Sequence, residues 1–164
     1  MNLRKLEFRD AERMLQWMHD YQTTEFLNTD FETKTLSDCE SFISAANDGT
    51  KNLHLAVVDE LDEYMGTVSL KNINIEEKIA EFAITMHPDA QGNGLAGRAM
   101  KCILDMGISK RYLESIYWCV DPLNARAVRF YDKNGYKRTI EIPNSVRSLY
   151  INPDRYIWYV YSGT

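Results

Sequence analysis

The sequence is poor in the residues that build metal centres and disulfide frameworks. It contains three histidines and three cysteines, and Cys39, Cys102 and Cys119 show neither C-x-x-C spacing nor a histidine pair nearby. Such clusters are what metal and disulfide sites require, so neither kind of site is expected. Each cysteine falls in an apolar or helical context, which is typical of a small buried side chain in a reducing compartment.

Long apolar runs and a surplus of basic residues are also missing. The longest hydrophobic stretches are a few residues long, whereas a helix that crosses a bilayer needs about 20. The N-terminal residues MNLRKLEFRD lack the apolar region of a signal peptide, so we expect a cytoplasmic protein with no membrane partner. The formal net charge of −5 argues against a nucleic-acid partner and is compatible with a cationic amine substrate.

What remains is the composition of an ordinary globular protein, with 45% hydrophobic and 26% charged residues. A chain of this length can bury one core, so we expect a single domain over residues 1–164. Apolar periodicity predicts the order β-α-α-β-β-β-α-β-α-β-β, with N-caps at Asp10 and around Ser37 and Asp38. The predicted strands are 2–8, 54–59, 64–73, 79–88, 115–120, 136–142 and 156–162. A meander followed by two β-α units indicates an α+β fold.

The stretch HPDAQGNGLAGRAM at residues 87–100 allows two interpretations. Gly92, Gly94 and Gly97 reproduce the G-x-G-x-x-G pattern of dinucleotide-binding folds. Gln91, Gly94 and Ala96 fit instead a loop that binds the pyrophosphate of an acyl-CoA. Under either interpretation, flexible glycines ahead of a helix N-terminus form an anion site.

Three features of the chain argue against the dinucleotide. Residues 87–91 separate the strand from Gly92, although the dinucleotide motif needs a tight strand-to-helix turn. Three antiparallel-looking strands come before the loop, where a Rossmann domain would begin with it. Too few residues follow Gly97 to complete a doubly wound sheet and a substrate site.

Residues 124–136, NARAVRFYDKNGY, carry a second polar pattern. Asn124, Ala127 and Tyr131 recur at 3–4 spacing, so they share one helix face on which a small residue lies between two polar tips. Such a face suits a slender polar ligand that passes over it. The same residues are also consistent with Asn124 as a helix N-cap and Tyr131 as a core residue.

The two motifs together resemble motifs A and B of the GNAT superfamily of N-acetyltransferases. The likeness extends over nearly the whole chain, and it is closest to the RimJ/RimL-like and spermidine acetyltransferase branch. It implies an acyltransferase that uses acetyl-CoA as cosubstrate and no metal. The implied fold is a mixed, mostly antiparallel sheet of six to seven strands, flanked by helices and splayed at the acetyl-CoA site.

The resemblance also implies where acetyl-CoA lies, namely between the strands at 79–87 and 115–120. The backbone of Ile84, Thr85 and Met86 would pair with the pantetheine amides, as an added strand edge would. Asn124 and Tyr131 would contact the pantetheine arm. The pyrophosphate would be bound by backbone N–H groups of Gln91, Gly92, Asn93, Gly94, Leu95 and Ala96.

The implied chemistry is direct attack of a primary amine on the thioester through a tetrahedral intermediate. Tyr131 matches the motif B tyrosine and is a candidate general acid, because a phenol with a pKa near 10 stays protonated at neutral pH. The alternative is that Tyr131 only packs against pantetheine and donates no proton. Glu81 is a candidate general base or amine contact, since strand alternation places it on one face with Ala83 and Thr85. The alternative is a charge near the exposed start of the strand.

The expected acceptor is a small-molecule amine: a polyamine, an amino sugar, an amino acid or an aminoglycoside-like compound. Acetylation of a protein N-terminus and a non-catalytic acetyl-CoA sensor are the alternative functions. The aromatic last strand is a candidate homodimer surface. Substrate selection is expected in the N-terminal half, from Trp17, Tyr21, Glu25, Phe26, Asp30, Phe31 and Glu32.

Overall fold

The computed structural model describes residues 1–47 and 49–163. In it, a single seven-stranded sheet carries helices on both faces. The strands are β1 (Asn2–Lys5), β2 (Leu53–Val58), β3 (Tyr64–Asn74), β4 (Ile79–Met86), β5 (Ser115–Val120), β6 (Lys137–Arg138) and β7 (Ile157–Ser162). The helices are α1 (Ala11–Met18), α2 (Tyr21–Thr24), α3 (Leu36–Ala46), α4 (Leu95–Arg111), α5 (Ala125–Lys133) and α6 (Asn144–Arg147). The predicted α+β fold is confirmed.

The sheet runs in the order β1-β2-β3-β4-β5-β7-β6, and its strands are antiparallel except at the β4–β5 boundary. There the parallel pairing is limited to Ile79–Glu81 against Ser115–Tyr117. Beyond that point β4 continues with β3, and β5 continues with β7. The sheet therefore splits between two neighbouring parallel strands, as the resemblance implies.

The two faces of the sheet bury separate hydrophobic cores because strand side chains alternate. In β2, Leu55 and Val57 pack into the core under α4, whereas Ala56 and Val58 pack into the core under α1 and α3. We call these the α4 face and the α1 face. Within the described ranges, no helix is both long and apolar enough to span a membrane.

One predicted helix start is displaced, and one predicted side-chain cap does not form. Asp10 is the N-cap residue of α1, as predicted, but its side chain does not cap the helix; its carboxylate instead accepts hydrogen bonds from both terminal nitrogens of Arg4 at 2.8 Å and from the Glu7 backbone N–H. Helix α3 begins two residues earlier than predicted, because Thr35 and Asp38 form a reciprocal capping box. At Asp10 the deciding partner is Arg4, outside the local capping motif, whereas at α3 the capping box starts at Thr35, ahead of the predicted cap.

The sixth strand is much shorter than predicted. Only Lys137–Arg138 pair with β7, and the chain then leaves the sheet edge at residue 139. The segment 139–156, which we call the C-terminal cover, folds back over the α1 face. Its Val146 is buried against Ile79 and Trp158. The predicted strand 136–142 is therefore wrong beyond Arg138: Ile140 is exposed, and Ile142 packs partly against the Val146 cluster outside the sheet.

Gly66 in β3 is expected to be essential for the packing of the split strand. A methyl group at this position would lie 2.5 Å from the Thr85 carbonyl oxygen and 2.7 Å from the Met86 sulfur. We therefore expect Gly66→Ala to lower the free energy of unfolding by about 1–3 kcal/mol, measured by urea denaturation. The control is Gly97→Ala, whose added methyl group makes only contacts of 3.8 Å and 4.0 Å and should be neutral or stabilising. Equal stability of the two variants would contradict this packing.

Candidate active site

The opening between β4 and β5 begins where their pairing ends. Along β4, residues 79–82 are buried and residues 83–86 are only half-buried. The backbone of Ile84, Thr85 and Met86 is paired with β3 on one side, and on the other side no strand of the described ranges pairs with it. This edge is where the GNAT resemblance implies the pantetheine arm, and it is available to an added strand-like ligand.

The glycine loop lies between the end of β4 and the start of α4. A short 3-10 turn, Pro88–Ala90, leads into it, so the approach to the helix is longer than a dinucleotide motif allows. Gly92 and Gly94 have φ angles of +84° and +74°, a left-handed conformation that favours glycine. Gly97 lies inside α4 and faces α5, with Phe130 and Asn134 as its nearest neighbours.

The loop presents unpaired backbone donors at the N-terminus of α4. Within residues 1–47 and 49–163, no protein acceptor is bound to the N–H groups of Gly92, Gly94 or Ala96. Two donors that the sequence assigned to the pyrophosphate are already used: Gln91 donates to the Pro88 carbonyl and Leu95 donates to the Asn93 side chain. A helix of 17 residues with free N–H groups at its start is suited to an anion.

Asn124 caps α5, as the alternative interpretation held. Its side-chain oxygen accepts the backbone N–H of Ala127 at 3.1 Å. Its side-chain NH₂ makes no hydrogen bond to any residue that the structure describes. The cap fixes the orientation of the amide, and the NH₂ group is left to donate to a ligand.

The ring of Tyr131 belongs to the core on the α4 face. It packs against Trp118 and Tyr159 at centroid distances of 5.5 Å and 5.1 Å, and 8% of the residue is exposed. Its hydroxyl has no hydrogen-bond partner in the described part of the chain, yet it is not among the fully buried polar atoms that lack one. The hydroxyl is therefore partly exposed to solvent, next to Trp118 of β5. Burial raises the pKa of Tyr131 above its usual value, so the phenol stays protonated.

Trp118 lies next to Tyr131 in the part of β5 that has left β4. Its ring stacks on Tyr159 at 5.6 Å and contacts Phe82 edge-on at 5.4 Å. Its indole nitrogen is the one fully buried side-chain polar atom without a partner within the described ranges. A buried donor without an acceptor costs about 1–3 kcal/mol.

Glu81 lies on the α1 face, at the closed end of the opening. It is 3% exposed, which excludes the interpretation of an exposed charge at the strand start. Its two carboxylate oxygens accept hydrogen bonds from Tyr150 at 2.6 Å and from Asn72 at 2.5 Å. Lys71 lies directly opposite in β3, but no nitrogen–oxygen distance within 4.0 Å pairs it with Glu81 in the described ranges.

The structure brings the two candidate catalytic residues to opposite faces of the same opening. Ala80 and Phe82, the neighbours of Glu81 in β4, pack into the core that contains Tyr131. The side chain of Glu81 consequently points to the other face. Tyr131 thus borders the opening on the α4 face, and Glu81 borders it on the α1 face.

Tyr150 and Asn72 are site residues that sequence reasoning missed. Tyr150 belongs to the C-terminal cover, whose sequence resembles a polar linker, and its pKa is raised by burial and by neighbouring Cys119 and Glu81. Asn72 lies at a bulge of β3 with a φ of +51°. No local periodicity marks either residue, because both reach Glu81 through tertiary structure.

His87 connects the segment before the glycine loop to helix α1 through hydrogen bonds. It is buried, and its Nδ1 accepts the Asp89 backbone N–H at 3.1 Å, so its Nε2 donates to Gln16 of α1 at 2.8 Å. Burial lowers the pKa of His87, and Arg13 acts in the same direction. The residue is therefore a neutral link between α1 and the loop.

The cysteines and the N-terminal aromatic residues depart in part from expectation. Cys39 is buried as expected, Cys102 is exposed, and Cys119 is half-buried, where burial raises its pKa to about 11. Trp17 is a core residue that donates to the Tyr64 hydroxyl, so it does not line an acceptor site. In the two described ranges, no three His, Cys, Asp or Glu side chains are grouped to hold a metal ion.

A sheet that splits between parallel strands, with a glycine turn and a helix N-terminus beyond the split, is the architecture that the acetyl-CoA-dependent acyltransferase interpretation requires. Residues 1–137 match the family model described as the acetyltransferase (GNAT) domain. The chain belongs to this family and is an N-acetyltransferase that uses acetyl-CoA. The dinucleotide interpretation of the glycine loop is thereby excluded.

Similar proteins were found in bacteria. An uncharacterized N-acetyltransferase, p20 of Bacillus licheniformis, is 27% identical over 142 residues, which cover 84% of this chain and 79% of the relative. The spermidine N(1)-acetyltransferase of Escherichia coli K12 is 35% identical over 102 residues, 59% of this chain. The match spans 55% of that enzyme, about half of its length.

Among solved structures, the fold is similar to spermidine N-acetyltransferase from Vibrio cholerae in complex with CoA and spermine. The TM-score is 0.77 at 22% identity, and the alignment covers 97% of this chain and 92% of the other. A dodecameric structure of the same enzyme aligns with a TM-score of 0.70 at 23% identity, over 97% of this chain and 90% of that chain. At this level of identity, the similarity establishes the fold.

Proposed function

We propose that this chain, as one catalytic domain over residues 1–164, transfers the acetyl group of acetyl-CoA to a primary amine of a polyamine. The observation that carries the proposal is Glu81, a buried carboxylate beside the opening with two neutral hydrogen-bond donors and no cation within 4.0 Å in the described ranges. A buried carboxylate whose two hydrogen-bond donors are both neutral favours a cationic ligand, and an ammonium group is such a ligand. The E. coli and V. cholerae relatives are named for spermidine, a polyamine.

The α4 side of the opening fits acetyl-CoA, which supplies the acetyl thioester. The free edge of Ile84, Thr85 and Met86 would bind the pantetheine amides, and the side-chain NH₂ of Asn124 would donate to the same arm. The free N–H groups around Gly92 and Gly94 would bind the pyrophosphate.

Two side chains of this protein would donate and accept the protons that the transfer requires. The amine nitrogen attacks the thioester carbon, the new C–N bond forms, and the C–S bond breaks. Tyr131 would give its phenolic proton to the departing sulfur, since its raised pKa keeps that proton in place at neutral pH. Glu81 would bind the ammonium form and accept the proton that it loses, directly or through water.

A thiol-release assay with acetyl-CoA and a panel of acceptors tests the proposal. The panel contains spermidine, spermine, glucosamine, an amino acid and a peptide with a free N-terminus. We expect the largest kcat/KM for spermidine or spermine, because a single buried carboxylate and aromatic neighbours favour a slender cation. Preference for the peptide would indicate a protein N-terminal acetyltransferase. Tight CoA binding without turnover of any acceptor would indicate a sensor.

We further propose a homodimer and a cytoplasmic location. The last strand, β7, lies between β5 and β6, and Trp158 and Tyr159 are buried, so this strand is not the free surface that the sequence suggested. The exposed apolar residues Ile140, Leu149 and Ile151 of the C-terminal cover are a better interface. An exposed free thiol at Cys102 fits a reducing compartment.

A further inference from the structure

We infer that Tyr150 is a positioning residue for the acceptor amine, and that it acts through Glu81 with Asn72 as a second holder. This inference rests on the proposed function and adds the residues that fix the amine-binding carboxylate. Tyr150 lies outside residues 1–137, the part matched by the family model. The acceptor side of the active site is therefore completed by the C-terminal cover.

The contacts around Glu81 define the arrangement. The Tyr150 hydroxyl donates to one carboxylate oxygen at 2.6 Å, and the Asn72 amide donates to the other at 2.5 Å. Hydrogen bonds to a carboxylate are stronger than those between neutral groups, and two of them fix its rotation. Both donors are neutral, so they orient the carboxylate without cancelling its charge.

Tyr150 is itself held rigidly in the C-terminal cover. Its ring contacts Trp158 edge-on at 5.0 Å and Tyr156 at 5.9 Å. The Trp158 indole donates to the Pro153 carbonyl at 2.8 Å, which ties the cover to β7. Packing of this kind preorganises the hydroxyl, so little conformational entropy remains to be lost when an amine binds.

The position of Asn72 is fixed by its backbone conformation and by a hydrogen bond from its backbone N–H. Its φ of +51° is unusual for a residue with a side chain, and its N–H donates to the Asn52 side chain at 3.0 Å. The position belongs to an irregularity of β3 between Lys71 and Asn74, directly beside Glu81. Asparagine adopts this left-handed conformation more readily than most residues, and here the conformation delivers the side-chain amide to the buried carboxylate.

The chemical consequence is a fixed anion that faces an arriving cation. With Tyr150 and Asn72 each occupying one oxygen, the remaining lone pairs of Glu81 can accept the N–H groups of an ammonium. Half-buried Tyr117 and Cys119 lie on the same face of β5, next to the opening. The carboxylate is thus fixed next to the face of β5 that borders the opening before the amine binds.

A double-mutant cycle between Tyr150→Phe and Glu81→Gln tests the inference. Phenylalanine keeps the ring and removes only the hydroxyl. We expect Tyr150→Phe to reduce kcat/KM for spermidine about 10-fold to 100-fold, mainly through a higher KM, with unchanged acetyl-CoA affinity. In the Glu81→Gln background, the same change should have almost no effect, because Tyr150 acts through the carboxylate.

The matched control is Tyr161→Phe. The Tyr161 hydroxyl also donates to a carboxylate, that of Asp105 at 2.5 Å, but these residues pack on the α4 face away from the acceptor. The kcat/KM of Tyr161→Phe for spermidine should equal that of the unchanged protein. An equal loss from Tyr150→Phe in both Glu81 backgrounds, or no loss at all, would overturn the inference.

Asn72→Gly provides a second, independent variant, because glycine adopts the positive φ and retains the backbone N–H. It should also raise the KM for spermidine, and normal KM values for both variants would refute the assignment. Calorimetric titration of spermidine into the CoA-loaded protein separates this inference from the proposed function. If the unchanged protein binds spermidine without turnover, the function fails, and the inference then stands or falls on weaker binding by Tyr150→Phe.

Discussion

Replacing Tyr131 by phenylalanine is expected to lower kcat about 10²-fold to 10⁴-fold while leaving acetyl-CoA affinity nearly intact. The ring of Tyr131 is packed in the core, and phenylalanine preserves that packing. The hydroxyl makes no hydrogen bond to the described part of the chain, so its removal breaks no internal contact. The loss would therefore report on the proton that the phenol supplies.

Thiol release at saturating acetyl-CoA and amine measures kcat, and a fluorescence titration with CoA measures affinity. The control is Tyr159→Phe, which removes a hydroxyl from the same aromatic cluster, where it donates to Asp132 at 3.0 Å. It should retain kcat. Unchanged kcat in Tyr131→Phe would remove Tyr131 as the acid, provided that chemistry and not product release limits the rate.

The pH profile gives a second test of the same role. Burial raises the pKa of Tyr131, so the protonated, proton-donating form persists to higher pH than for an exposed tyrosine. The kcat of the unchanged protein should not fall through loss of this proton below about pH 10, the reference value for a phenol. A descending limb near neutral pH that is absent in Tyr131→Phe would contradict the shift.

The fold could be predicted from the sequence because local patterns and global architecture agree for most elements. The strands β2 to β5 and β7 were located within two residues, because each combines apolar residues with turn residues at its ends. The errors occurred where another interaction competes with the local motif. The Asp10 side chain accepts from Arg4 instead of capping α1, and the chain leaves the sheet after Arg138 although the alternation continues to 142.

The cofactor side of the site was predictable for a similar reason. Glycines with positive φ, a helix N-terminus and a capping Asn124 are properties of contiguous segments, so their sequence spacing carries their geometry. The acceptor side of the site was not predictable from the sequence. The environment of Glu81 is built by Asn72 from a strand bulge and Tyr150 from a segment without periodicity, and only the folded chain brings them together.

The cofactor side and the acceptor side of the site also differ in the ligand that each would bind. The anion site and the free strand edge would serve acetyl-CoA, whereas the environment of Glu81 would serve the acceptor. The C-terminal cover that supplies Tyr150 lies beyond residues 1–137, the part that the family model matches. In the proposed function, acceptor binding therefore depends on tertiary contacts of residues 139–156.

Glu81→Gln is expected to reduce kcat/KM for spermidine about 10²-fold to 10³-fold. Glutamine has the same shape and can accept from Asn72 while donating to the Tyr150 hydroxyl, so the two internal bonds can be kept. The free energy of unfolding should therefore change by no more than about 1 kcal/mol. What is lost is the negative charge that binds the ammonium and accepts its proton.

The kinetic parameters distinguish the two roles of Glu81. If the carboxylate only binds the ammonium, KM rises and kcat at saturating spermidine is nearly retained; if it is also the base, kcat falls as well. The control is Asp105→Asn, which removes a carboxylate that is likewise bonded by a tyrosine, Tyr161, on the α4 face. Both parameters should be unaffected by that change. Normal kcat and KM in Glu81→Gln would show that the buried carboxylate is structural, because its charge would then serve neither binding nor proton transfer.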